Sequence, residues 1–195
     1  MRLPYILSIV AILCAGNPSR ADKPATPATR TEIIANGKFL FVMLCPLALE
    51  TEQGKAIRAK YPESGLYKND GSKEPFWTVD WYREKVTVAW DGVHMIRFGQ
   101  WPGRKGGLKD RTIPKESLQK EAVSFFAYGK LLREFPIADL IDDPTKLPTS
   151  VSHFRWLKSS EFFDDNLQFE SVTFDGNLIR FDMKTAKILK KQMVD

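Results

Sequence analysis

The run Val86-Thr87-Val88-Ala89-Trp90-Asp91-Gly92-Val93-His94-Met95-Ile96-Arg97-Phe98, echoed by Glu170-Ser171-Val172-Thr173-Phe174-Asp175-Gly176-Asn177-Leu178-Ile179-Arg180-Phe181, decides the fold class of this chain. In each, a β-rich run meets Asp-Gly and a second β-rich run returns, the composition of an antiparallel hairpin. Asp-Gly favours a type I′ turn because both residues tolerate positive φ. A two-residue Asp91-Gly92 turn would set Val88 opposite Met95, Trp90 opposite Val93 and Thr87 opposite Ile96. Apolar groups then fall on both faces, as in a sheet covered on two sides.

Working outward, Val123 to Phe135 reads as a third hairpin turning at Gly129, so the expected structural turn residues are Asp91, Gly92, Gly129, Asp175 and Gly176. Phe39 to Leu44 is a strand candidate stopped by Pro46, which cannot donate to a ladder. Phe76 to Trp81 and His153 to Lys158 read as extended, Glu50 to Lys60 as a short helix ended by Tyr61-Pro62, and Ser64 to Glu74 as a loop. Ile137 to Ile141 has room for one helical turn after Pro136. These signals give about nine strands and a mainly β fold, an antiparallel sandwich or propeller-like fragment with duplicated hairpin units. An ordinary propeller of four or more blades would need a longer chain.

The first residues carry an export pattern. Met1-Arg2 is positive, Leu3 to Gly16 mostly apolar, and Ser19-Arg20-Ala21 offers small residues at a cleavage site. The apolar stretch is shorter than the roughly 20 residues of a membrane span, and no later segment approaches one. The expected organisation is a signal peptide over 1–21, a disordered leader rich in Pro, Ala and Thr over 22–32, and one β-rich domain over 33–195. The mature domain is then periplasmic or extracellular, without a transmembrane segment. Cleavage of the signal segment or its retention as an anchor stays open. Leu13 before Cys14 argues against lipidation at that cysteine.

Removal of that segment leaves Cys45 as the single cysteine, so no disulfide framework forms within the monomer. Cys45 ends the apolar run Phe39 to Cys45 and reads as a buried, inert thiol. The net charge of +5 includes Arg2 and Arg20, which leaves only a mild positive excess in the mature chain. Nucleic acid is therefore not an expected partner, since its recognition calls for a denser basic surface. The one basic concentration is Arg104-Lys105-Gly106-Gly107-Leu108-Lys109-Asp110-Arg111.

Segments Asn36 to Phe39, Tyr61 to Ser72, Trp77 to Trp81 and Asp91 to His94, with Ser150 to Trp156 and Asp175 to Phe181, together resemble an uncharacterised group of exported bacterial β-rich proteins. That resemblance implies export and a β-rich fold and carries no catalytic or ligand pattern. Phe174 to Ile188 also resembles a strand pair of a propeller blade, with a turn near Lys184-Thr185. The cofactor chemistry of some propellers is not implied, and no cofactor is expected.

Catalytic signatures are missing from the sequence: no His-Glu-x-x-His, no Gly-x-Ser-x-Gly, no phosphate-binding glycine-rich lysine loop and no calcium loop. His94 and His153 lie in strand-like segments and read as structural; no metal site is expected. Asp80, Asp91, Asp164, Asp165, Glu170 and Asp175 include the candidates for a glycosidase pair, although Asp91 and Asp175 are explained by their turns and Asp164-Asp165 by a loop. Of the tryptophans, Trp77, Trp81, Trp90 and Trp156 are expected in the core and Trp101, beside Pro102-Gly103, at the surface. The leading expectation is a noncatalytic interaction protein of the cell envelope, binding a protein or an acidic glycan. Trp101 would be its apolar anchor, with Arg104, Lys105, Lys109 and Arg111 as rim. The alternative is a carboxylate-dependent carbohydrate hydrolase. Oligomeric state is not legible.

Overall fold

The computed structural model describes residues 26–103 and 112–194. They form three four-stranded antiparallel meanders, each built from strands consecutive in the chain. The first holds β1 (Arg30–Ile34), β2 (Phe39–Met43), β3 (Ser64–Lys68) and β4 (Pro75–Val79). The second holds β5 (Val86–Val88), β6 (His94–Phe98), β7 (Glu121–Ala127) and β8 (Lys130–Pro136). The third holds β9 (Leu157–Phe163), β10 (Gln168–Thr173), β11 (Asn177–Asp182) and β12 (Lys187–Met193). Helix α1 (Glu52–Lys60) starts at Thr51, whose side chain caps the Gly54 N–H, and helical turns α2 (Lys115–Leu118) and α3 (Ile137–Leu140) flank the second meander.

The alternation of side chains across a pleated strand makes the middle sheet apolar on both faces. Met95, Val86, Val88 and Phe126 pack with Phe39, Phe41, Met43, Leu66 and Trp77 of the first sheet. From the other face Ile96, Phe98, Val123, Phe125 and Phe135 pack with Phe169, Ile179 and Phe181 of the third. On the far side of the first sheet, Leu40, Val42 and Tyr67 are closed over by Tyr61 and by Ile57 of α1. The order of layers is helix, sheet, sheet, sheet. In the third sheet β10 and β11 alternate buried and half-buried residues, and its outer face is finished with polar groups such as the Glu170–Arg180 pair at 2.7 Å. Between the first two sheets the Arg97 guanidinium lies over the Trp81 ring at 4.7 Å, and its Nε donates to Glu121 at 2.6 Å.

The hairpins stand where the sequence put them, with Val88 opposite Met95 and Thr87 opposite Ile96. Their turns differ from expectation. Neither aspartate of the Asp-Gly pairs takes positive φ, and the left-handed residue is the glycine alone, Gly92 at +69° and Gly176 at +100°. At 173–176 the Gly176 N–H bonds the Thr173 carbonyl at 3.2 Å, a type I turn followed by a left-handed glycine. At 89–92 the Gly92 N–H bonds the Ala89 carbonyl, and Val93 joins the loop, so Trp90 does not face Val93 across the ladder. The type I′ geometry occurs at Tyr128-Gly129, with φ of 51° and 72° between the paired Ala127 and Lys130. The two Asp-Gly hairpins hold different places in their meanders, joining first and second strands in one and second and third in the other.

Three boundaries move. β1 begins at Arg30, inside the expected leader, and Ala28 and Thr29 already bond the Tyr82 hydroxyl and the Glu50 carboxylate. Ser64–Lys68, read as loop, is the buried strand β3: a Cβ on Gly65 would lie 2.2 Å from the Trp77 carbonyl oxygen, so glycine there serves close strand approach. The extended segment near 155 gives way to β9 at Leu157. Among the described residues no helix is long and apolar enough to cross a membrane.

Candidate functional site

Trp101 leaves the C-terminal end of β6 with half its surface exposed, 51%, as expected. Its ring sits 4.5 Å from that of His153, inclined at 43°. His153 is buried, and its Nδ1 lies 3.0 Å from the Ser152 hydroxyl. The backbone here is tied down: the Phe154 N–H donates to the Pro102 carbonyl at 3.3 Å, Gly103 bridges His153, and the Ser117 hydroxyl donates to the Gly103 carbonyl at 2.8 Å. The indole is thus held from behind on a buried imidazole and open in front. Arg104, Lys105, Lys109 and Arg111 lie outside the described residues.

At the opposite end of β6, Trp90 is 55% exposed, which corrects its expected place in the core. The cause is local. The Asp91 carboxylate accepts the Val93 and His94 N–H groups at 2.8 and 3.0 Å, which closes a longer loop and leaves Ala89 as the inward residue. Trp77 and Trp156 are buried as expected, with Trp81 half-buried against the first two sheets. The Trp90 N–H donates to Asp164 Oδ1 at 2.9 Å, joining this loop to the β9–β10 turn of the next sheet.

The two carboxyls are driven apart in acidity. Burial opposes ionisation of Asp91, but the N–H groups of His94 and Val93 and the imidazole, with Nδ1 at 2.6 Å from Oδ2, hold its carboxyl below the usual range. Burial, with the negative charges of Asp91 and Asp165 adding to it, pushes Asp164 up despite the Trp90 hydrogen bond. His94 is a hydrogen-bonded partner of the turn, in keeping with a structural histidine.

The remaining carboxylates do not converge. Asp175 is buried and accepts the Asp142 and Asp143 N–H groups at 2.6 and 3.0 Å, the Thr173 hydroxyl, and Asn177 Nδ2 at 3.2 Å; it ties the β10–β11 turn to the segment after α3. Glu170 belongs to Arg180, and Asp165 is exposed. Asp80 lines a groove of about 470 Å³ together with Cys45, Arg58, Trp81 and Tyr82. Two of the groove's polar side chains serve the fold: Arg58 pairs with Glu50 at 2.8 Å and donates to the Cys45 carbonyl at 2.6 Å, and Tyr82 bonds Ala28. The Cys45 thiol is buried and lies 3.6 Å from the Pro46 carbonyl, in keeping with an inert role. Among the described residues no group of three or more His, Cys, Asp or Glu could hold a metal ion.

Sequence reasoning missed the exposed Trp90, Tyr128 and Phe76. Only Tyr128 carried a legible signal, an aromatic before the glycine of a hairpin turn. No protein-family model matches the chain, and no curated protein is significantly similar to it.

Proposed function

We propose that this chain is a noncatalytic exported interaction protein that binds a protein or glycan of the cell envelope. The signal-peptide pattern of its first residues supports export. One observation carries the binding reading: Trp101 presents an indole to solvent from a backbone pinned on both sides and a ring braced on buried His153. A pre-positioned aromatic loses little conformational freedom when it packs on a partner. Arg104, Lys105, Lys109 and Arg111 follow in sequence and add positive charge that attracts an anionic partner, so binding through them weakens as salt rises. The test compares capture of envelope components by the mature protein and by a folded Trp101→Ala, Arg104→Ala, Lys105→Ala variant at low and high salt. Loss of capture in the variant is expected. Equal recovery and affinity would remove this loop from the site.

A carboxylate-dependent carbohydrate hydrolase is the second reading, and the opposed acidities of Asp91 and Asp164 favour it. Both oxygens of Asp91 are engaged within its own turn, Oδ1 by the Val93 and His94 N–H groups and Oδ2 by the His94 imidazole, which makes the noncatalytic reading the stronger. Assay of reducing-end release from oligosaccharides separates the two.

A further inference from the structure

We propose that the end of the molecule opposite Trp101 is a second binding face, for a neutral oligosaccharide, with Trp90, Tyr128 and Phe76 as stacking surfaces and Asp164 and Asp165 as acceptors for sugar hydroxyls. The inference rests on the chain being a noncatalytic binding protein and adds a site and a ligand class to that reading.

Tyr128 carries it furthest. It occupies the first central position of a type I′ turn at φ +51°, where asparagine or glycine is preferred and a bulky side chain is strained. Its side chain is 62% exposed, so burial does not compensate that strain. The other non-glycine residues with positive φ differ: Leu167 and Ala35 pack against the core, Ala186 is small and buried, and Asn36 is a residue type that tolerates the conformation. Strain without a structural return points to a use outside the fold.

Trp90 and Phe76 share this end. The Tyr128 N–H donates to the Val93 carbonyl at 3.0 Å, joining the β7–β8 turn to the loop of Trp90. A Cβ on Gly129 would stand 2.3 Å from the Thr78 carbonyl oxygen, against β4, which carries Phe76. The Phe39 ring lies under Gly92 and meets Phe76 edge-on at 5.5 Å. Phe76 and Trp90 are both more than half exposed. Two turns and the start of β4, packed together, therefore each present an aromatic side chain to solvent.

A pyranose offers an apolar C–H face for the negative face of such a ring and hydroxyls at its edge that need acceptors. Beside Trp90, Asp164 has one oxygen on the Trp90 N–H, leaving the other to accept, and Asp165 is exposed. With Asp164 and Asp165 at one side and the Lys38 ammonium 4.8 Å over the Phe39 ring at the other, this face has no single sign of charge, which fits a neutral glycan and sets it apart from the basic run that follows Trp101 in sequence.

The test is calorimetric titration of the full chain and its Trp90→Ala, Tyr128→Gly and Trp101→Ala variants with cellohexaose, maltohexaose and chitohexaose. Binding of at least one sugar is expected, weakened about tenfold or more by Trp90→Ala and by Tyr128→Gly. Tyr128→Gly suits the left-handed turn, so a Tm close to that of the unaltered chain is expected, and that measurement separates lost binding from lost folding. Failure of the unaltered chain to bind any of the three sugars, or retained affinity in folded Tyr128→Gly, overturns the proposal. Loss of sugar binding in Trp101→Ala alone overturns the second face and leaves the general binding reading standing. Release of reducing ends overturns the noncatalytic reading on which the proposal depends.

Discussion

Asp91 and Asp164 show how two like side chains are shifted in opposite directions of acidity by their surroundings. Asp164 is raised by burial and by neighbouring negative charge, so the folded state holds its proton more tightly than the unfolded chain does. The resulting penalty enters as pH climbs from the ordinary carboxylate value through the raised one. Asp164→Asn keeps the acceptor for the Trp90 N–H and removes the charge. Urea unfolding should therefore find this variant gaining stability relative to the unaltered chain between pH 3 and pH 7; a difference independent of pH would refute the assignment. Asp91 runs the other way. Its carboxyl is held below the usual range, so its contribution is present above the ordinary carboxylate value and is lost as pH falls through the folded one. Asp91→Asn should accordingly cost more at pH 7 than at pH 3.

For the elements, β3 is the instructive strand. Its sequence Ser64-Gly65-Leu66-Tyr67-Lys68 has a glycine and lies among turn formers, which hides a segment buried on both faces. Gly65 is required because β4 runs too near to admit a Cβ. Gly65→Ala should destabilise by about 1–3 kcal/mol through displacement of that strand. Gly103→Ala, where an added Cβ meets only ordinary contacts at 3.8 Å and beyond, should stay within about 0.5 kcal/mol. Chemical denaturation of the two variants decides it, and equal losses would mean that strand proximity is not what selects Gly65. The hairpins around Asp91, Gly129 and Asp175 were readable because turn residues and β-rich runs are local signals. Turn type was not, because the side chains of Asp91 and Thr173 compete for the loop N–H groups, and those bonds set the loop length.

In the whole molecule, one sheet supplies half of two cores. Phe125 points to the third sheet, with ring centroids 5.1 Å from Phe181 and 6.2 Å from Phe169, whereas Met95 points to the first. Phe125→Ala should cost about 3–5 kcal/mol. Hydrogen exchange should show β10 and β11 losing protection before β2, and Met95→Ala should reverse that order; uniform loss in both variants would mean that the layers open as one unit. Local patterns alone carried the β class, the hairpin positions, the buried Cys45 and the exposed Trp101, since periodicity, turn chemistry and a neighbouring Pro-Gly act over a few residues. Tertiary structure alone decided that Trp90 faces water, that Asp175 is a buried junction and that Trp90, Tyr128 and Phe76 share one end of the stack. Those facts depend on which turns meet across sheets, and such contacts join residues far apart in the chain through packing that no local pattern encodes.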